Sequence, residues 1–307
     1  MLITLLFAAS IVAGSALGIA GVSIPADPLI LLLVGAIFFT LRFDGLSAVR
    51  RAPRTILIAI VTNFALIPAV ALPITMLLPS DALRLGVLVY CLAPCTDWFL
   101  GFTRLAGGDT TAGAALIPLQ MLIQLVMYPV WMALFAGESV DWMPATAGAV
   151  LAQWFLLPAS IGLAARYLLP PHRRARAITA VDRCVPFAVA AVIVAVFSGN
   201  VTTILADPGA FISVLIAVFA FFVATFAIGE TISRIARLDH AAHALVTMTT
   251  SARNAPLMLA VTMVALPDQP VTHAAIVLGM LIEFPHLTVI TQVLRRERRL
   301  RSAPIMR

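Results

Sequence analysis

One pattern dominates this chain: ten apolar stretches follow one another, separated by gaps of only a few residues. They run over about residues 2–21, 28–42, 55–78, 83–106, 111–136, 143–169, 184–205, 209–233, 241–266 and 271–294. A helix needs about 20 apolar residues to cross a bilayer core, so each stretch reads as one span. Composition agrees. Apolar side chains make up 62% and charged ones 11%, against about 45–50% and 25% in soluble domains. A soluble enzyme is excluded. So is an outer-membrane barrel, whose segments are short and alternating. The expected fold is an all-α polytopic membrane protein with ten transmembrane helices. The first stretch starts at Leu2 with no basic residue before it, and it reads as a retained span rather than a cleaved leader.

The basic residues set the topology. All 20 are arginine, and the net charge is +6. They form no continuous face, so nucleic acid is not an expected partner. The gap after span 2 holds Arg50, Arg51 and Arg54, and the gap after span 6 holds Arg173, Arg174, Arg176 and Arg183. Arg234 and Arg237 follow span 8, and the tail after span 10 is rich in arginine from Arg295 on. With ten spans, all of these fall on one side. Asp27, Asp81, Glu138, Asp141, Asp207 and Asp268 fall on the other, with Arg84 as the one arginine there. The positive side is cytoplasmic. Both termini are therefore expected inside, in the inner (plasma) membrane.

Five spans precede the acidic gap at 137–141 and five follow it. An odd number inverts the second set, which is how inverted-repeat secondary transporters are built. The expected organisation is a first repeat at 1–137, a second at 142–294 and a basic cytoplasmic tail at 295–307. No zinc pattern, phosphate loop or Ser–His dyad is present, and Cys91, Cys95 and Cys184 make no disulfide framework. The chain is expected to be a carrier rather than an enzyme, with no cofactor and no resident metal.

Two spans are interrupted. Span 4 carries Pro94-Cys95-Thr96-Asp97, and span 9 carries Thr249-Thr250-Ser251-Ala252-Arg253-Asn254-Ala255-Pro256. Proline removes an N–H and opens a helix, and polar residues at such breaks point to a transport site. Asp97, Arg253 and Glu283 are the ionisable residues placed well inside spans, at roughly 2.5–3.5 kcal/mol each to insert. Asp97 and Arg253 form either a structural ion pair or part of a solute site. Glu283 is either a proton carrier, a cation ligand, or a neutral glutamate bonded to a neighbouring helix. Cys95 is either a small buried apolar group or a soft ligand suited to metalloids. Thr249, Thr250, Ser251 and Asn254 either hold a solute or satisfy opened backbone. Gln120 and Gln124, one turn apart, share a face. Gln153 and Asn200 read as helix–helix contacts. Arg42, Arg104, Arg166 and Glu230 lie near span ends. His172, His240 and His243 read as interfacial and His273 as a loop-end residue, none in the site.

On these residues the chain resembles the bile acid:sodium symporter superfamily, and its arsenite-permease branch in particular. The stretch from Leu92-Ala93-Pro94-Cys95 to Leu105-Ala106-Gly107-Gly108-Asp109 is similar to that branch's fourth span. Ser251-Ala252-Arg253-Asn254 resembles its broken ninth span, and Leu281-Ile282-Glu283-Phe284-Pro285 its tenth. The resemblance implies a core and a panel of helices, with spans 4 and 9 crossing, and it matches Cys95 and Glu283 to residues arsenite carriers need. There are departures: Pro94 replaces an arginine, and Phe102-Thr103 replace a Trp-Asn pair. The sodium-coupled branch has a glutamate near Thr249 and a glutamine near Arg253, so sodium coupling is not expected. The resulting expectation is a secondary carrier moving a small inorganic or anionic solute, with protons as the coupling ion. Arsenite or antimonite efflux is the first reading. Uptake of an organic anion, with sodium or protons, is the alternative.

Overall fold

The structure is a computed structural model that describes residues 2–40, 49–96, 98–135 and 156–302. Among these, twelve helical stretches follow in order: α1 (Leu2–Ile19), α2 (Asp27–Thr40), α3 (Pro53–Thr75), α4 (Asp81–Leu92), α5 (Phe99–Ala106) and α6 (Thr110–Phe135). Then come α7 (Leu157–Leu168), α8 (Pro171–Leu205), α9 (Pro208–Ile235), α10 (His240–Ser251), α11 (Ala255–Ala265) and α12 (Pro270–Ser302). Five of them, α3, α6, α8, α9 and α12, contain stretches long and apolar enough to cross a membrane, and α1, α2 and α11 are shorter apolar helices. Large apolar side chains such as Leu57, Leu122, Val126, Ile216 and Phe219 face outward. So broad an exposed apolar surface needs lipid rather than water around it. The described residues form no β-strand, and the protein is a helical, multi-pass membrane protein.

Short-range chemistry places the helix starts. Ser80, Asp207 and Asp239 sit at N-caps, their side-chain oxygens accepting the N–H of Leu83, Ala210 and Ala242 at 3.4, 3.0 and 2.8 Å. Such caps satisfy donors that the first turn leaves open. Proline occupies the first turn of α3, α8, α9 and α11, where its missing N–H is harmless. The α5 helix ends at Gly107, whose φ of 80° is the left-handed cap that glycine adopts without penalty.

Two of the expected connections prove helical. The arginine-bearing residues before span 7 belong to α8, which begins at Pro171, and the basic tail continues α12 to Ser302. Arginine is a good helix former, so a strong helix runs past the apolar stretch into the polar zone. Arg42, Asp97, Glu138, Asp141 and Gln153 lie outside the described residues.

The helices pack in two groups. In one, α1 lies along α8, and α2 lies against both α7 and α8. Gly14 and Gly18 let α1 approach closely: a Cβ at either would come within 2.6 Å of the Val194 or Ser198 carbonyl oxygen of α8. Small residues four apart allow backbones this close in a membrane, where dispersion replaces the hydrophobic effect between helices. In the other group, α9 packs on α10, α12 on α4, and α3 on α4. The groups meet where α12 touches α1 and α8, and where α11 touches α2.

Gly18→Leu should lower the unfolding free energy by roughly 1–3 kcal/mol, since α1 and α8 must part. Gly101→Ala, with open space around its added Cβ, should be neutral or stabilising by about 0.5–1 kcal/mol. Unfolding midpoints of the two variants in detergent check this pair.

Candidate functional site

The site is built on the two interruptions. Between α4 and α5 the helix opens at residues 93–96, and between α10 and α11 it opens at 252–254. The two opened segments run antiparallel and pair across Pro94 and Arg253. The Cys95 N–H donates to the Ala252 carbonyl at 3.0 Å, and the Asn254 N–H to the Ala93 carbonyl at 2.9 Å. Side chains reinforce the junction: Asn254 Nδ2 donates to Thr96 Oγ1 at 2.9 Å, and Asn254 Oδ1 accepts the Leu257 N–H at the start of α11. Each break thus satisfies backbone groups that the other has freed, as non-helical backbone at membrane depth requires.

Arg253 and Glu283 both join this junction. The Arg253 backbone N–H donates to Glu283 Oε1 at 2.9 Å, and the Tyr90 hydroxyl donates to Glu283 Oε2 at 3.0 Å. The same hydroxyl lies 3.1 Å from the Gly279 carbonyl oxygen. Gly279 makes room for it, because a Cβ there would sit 2.8 Å from the Tyr90 ring. The Arg253 guanidinium points the other way. It donates to the Cys91 carbonyl at 2.9 Å, to Asn63 Oδ1 at 3.1 Å, to the Thr249 carbonyl at 3.3 Å and to the Thr250 carbonyl. The Phe221 ring centroid lies 5.6 Å from its Cζ. Arg253 is wholly buried, and so are Cys91 and Cys95.

The expected site residues therefore separate by role. Cys95, Arg253, Asn254 and Glu283 meet at the crossing. Thr249 lies beside it, its hydroxyl taking Gln120 Nε2 at 2.8 Å and Asn63 Nδ2 at 3.3 Å. The Thr250 and Ser251 hydroxyls are buried with no hydrogen-bond partner among the described residues. Gln120 reaches the site, whereas the Gln124 amide turns to Met121 Sδ. Asp97, and with it the Asp97–Arg253 pair, lies outside the described residues. Glu283, which has no arginine in its own span, is reached by the backbone of Arg253 from another. His273 is not a loop-end residue; it is buried in the first turn of α12.

Two members are not expected from the sequence: Tyr90 and Asn63. Asn63 sits in a π-helical turn of α3, at Thr62–Leu66, the kind of wide turn that often marks a functional position. An amide alone in an apolar run is the one signal that points to it.

A cavity of about 650 Å³ opens beside the crossing. Thr96, Trp98, Gly101, Ile117, Arg104, Asp182 and Arg183 are among the residues that line it. A second polar cluster lies where the C-terminal parts of α9 and α12 meet the start of α10. There Glu230 accepts from Arg234 at 3.1 Å and meets His243 Nε2 at 2.5 Å, with the Glu297 carboxylate close by.

Residues 28–207, more than half of the chain, match the Sodium Bile acid symporter family. The chain belongs to that family. Two relatives frame it. One, named an uncharacterized sodium-dependent transporter, YocS, of Bacillus subtilis, is 27% identical over 180 residues, covering 56% of this chain and 54% of that protein. The chain thus spans about half the length of this relative. The other, the arsenical-resistance protein Acr3 of Corynebacterium glutamicum, is 23% identical over 293 residues, covering 89% of this chain and 78% of that protein. The protein is accordingly a membrane protein of the symporter family; one relative is named a sodium-dependent transporter and the other an arsenical-resistance protein. The family match ends at residue 207, before the second opened segment, while the Acr3 alignment takes in most of the chain.

Tyr90→Phe keeps the ring but removes the donor shared by Glu283 and Gly279. Interhelical hydrogen bonds in membranes average below about 1 kcal/mol, so the two contacts predict a loss of about 1 kcal/mol. Thermal unfolding in nanodiscs measures it, and an unchanged midpoint would mean that the hydroxyl is not engaged.

Proposed function

We propose that this protein is a proton-driven secondary carrier that exports arsenite or antimonite. One observation carries the reading: a thiol and a carboxylate attach to adjacent links of one crossing. Cys95 pairs through its backbone with Ala252, and Glu283 takes the N–H of the next residue, Arg253. A soft sulfur suits a metalloid centre, and a carboxyl that gains and loses a proton is the usual intramembrane proton carrier. Arsenite in its neutral trihydroxy form would exchange one hydroxyl for the Cys95 sulfur, the thiol proton leaving with that hydroxyl as water. The unpartnered Thr250 and Ser251 hydroxyls, with Thr249 and Asn254, would bond the remaining hydroxyls. The reverse exchange would release the solute, and Glu283 would carry the coupling proton. Asp97 completes the proposed set. The 23% identity to Acr3 over most of the chain supports the same class of solute.

The proposed frame is ten spans in two inverted repeats, at 1–137 and 142–294, with both termini cytoplasmic in the plasma membrane. The packing supports it. The α1–α8 contact is that of spans 1 and 7, and the α2–α7 contact that of spans 2 and 6; an inversion exchanges these two pairs.

A second reading, uptake of an organic anion, is favoured by the cavity. Arg104 and Arg183 stand beside Asp182 on its lining, and two guanidinium groups suit a carboxylate or sulfonate more than a neutral metalloid.

Everted vesicles energised by an imposed proton gradient decide between the two. Arsenite accumulation that persists when sodium is replaced by choline, and stops when the pH gradient collapses, supports the first. Arsenite exclusion with sodium-dependent uptake of a bile-acid-like anion would transfer the assignment to the second.

On the first reading, Cys95→Ser abolishes arsenite flux while the exposed thiol of Cys184 is dispensable: Cys184→Ser transports normally. Glu283→Gln still binds solute yet gives no flux driven by a proton gradient, and Glu283→Asp retains part of it with a shifted pH profile. Wild-type flux through purified Glu283→Gln in liposomes removes the proton role from Glu283.

A further inference from the structure

We propose that the Arg253 guanidinium is a built-in monovalent cation, filling a carbonyl-lined cation site at the crossing so that no free cation is needed there. The argument is one of charge and does not depend on which solute is carried.

Two helices end at the crossing with their carbonyl termini converging: α4 at Leu92 and α10 at Ser251. A helix C-terminus behaves like about half a negative charge, so the two together present roughly one. Water is the usual counter-partner for such ends, but every residue here is buried: Cys91, Thr249, Thr250 and Ser251 are wholly enclosed. A buried carbonyl end left without a donor is unfavourable in low dielectric. The guanidinium supplies donors to both carbonyl ends. Three of its four oxygen partners are carbonyls from these last turns: Cys91 of α4, and Thr249 and Thr250 of α10. The fourth is Asn63 Oδ1, from the wide turn of α3. All four acceptors are neutral oxygens, the donor set that a hard monovalent cation takes, and the Phe221 face adds a cation–π contact of the kind arginine favours.

The tether also fixes the geometry. Arg253 is itself one of the paired residues at the crossing, so the cation and the backbone bridge are parts of the same residue. Lysine would place a single point charge among the same oxygens, whereas the planar fork reaches two helix ends at once.

The test uses purified full-length protein in nanodiscs, with thermal unfolding as readout, so it does not rely on transport of any solute. Wild-type protein should melt at the same temperature in sodium, potassium or choline chloride, and low-millimolar methylguanidinium should leave it unmoved. Arg253→Ala should melt lower by roughly 10 °C, and methylguanidinium at the same concentration should recover at least half of that fall. Arg253→Met, which fills most of the volume without charge, should melt low as well, and Arg253→Lys should fall between Arg253→Met and wild type. A wild-type midpoint that drops on exchanging sodium for choline would overturn the proposal. So would an Arg253→Met midpoint equal to wild type, or an Arg253→Ala midpoint that no cation raises. If Arg253→Ala cannot be purified folded, the wild-type salt exchange and the Arg253→Met and Arg253→Lys comparison decide alone.

Discussion

A backbone that leaves helical geometry inside a bilayer must find its hydrogen bonds in protein, because lipid offers none. Among the described residues the chain opens at 93–96 and at 252–254, and it resolves both departures by laying one against the other. Two backbone hydrogen bonds and the Asn254–Thr96 contact close the junction. The remaining polar groups are arranged around that solution. Glu283 and Tyr90 attach on one side through Arg253, and Asn63, Thr249 and Gln120 form a connected amide–hydroxyl chain on the other. The polarity of the site is thus a consequence of the breaks as much as a preparation for solute.

Charge follows the same logic. The arginine fits a place where helix ends leave partial negative charge, while the carboxylate of Glu283 accepts the Arg253 N–H and the Tyr90 hydroxyl. The Arg253 residue thus offers its backbone N–H to the carboxylate and its guanidinium to carbonyl oxygens.

Much of this is legible in the chain itself. Apolar run length locates the helices, because bilayer thickness sets that length directly. The breaks are legible because a proline beside polar residues is costly inside an apolar run unless protein or a water-filled cavity receives the opened backbone. The members that stay hidden do so for a plain reason. Tyr90 and Asn63 are single residues in apolar surroundings, and their partners lie 193 and 190 positions away. Nothing near either one encodes that distance. Glu230 and His243 each look interfacial in the sequence, and only the packing of α9 on α10 joins them. The arginine groups look like gaps because their charge marks topology, and that signal masks their equally good fit to a helix.

The extension of α8 and α12 past their apolar stretches sets a depth scale. At about 1.5 Å per residue, the 35 residues of α8 reach about 52 Å, against a hydrocarbon core of about 30 Å. The surplus carries Arg173, Arg174, Arg176 and Arg183, and on α12 it carries Arg295, Arg296, Arg298 and Arg299. Charges on a flexible loop settle at whatever height the headgroups favour. Charges on a continuous helix cannot, because each is locked a known rise from the apolar turn below it. These two helices therefore act as a ruler: headgroup attraction for the arginines fixes the vertical position of the whole bundle, and with it the height of the crossing within the membrane.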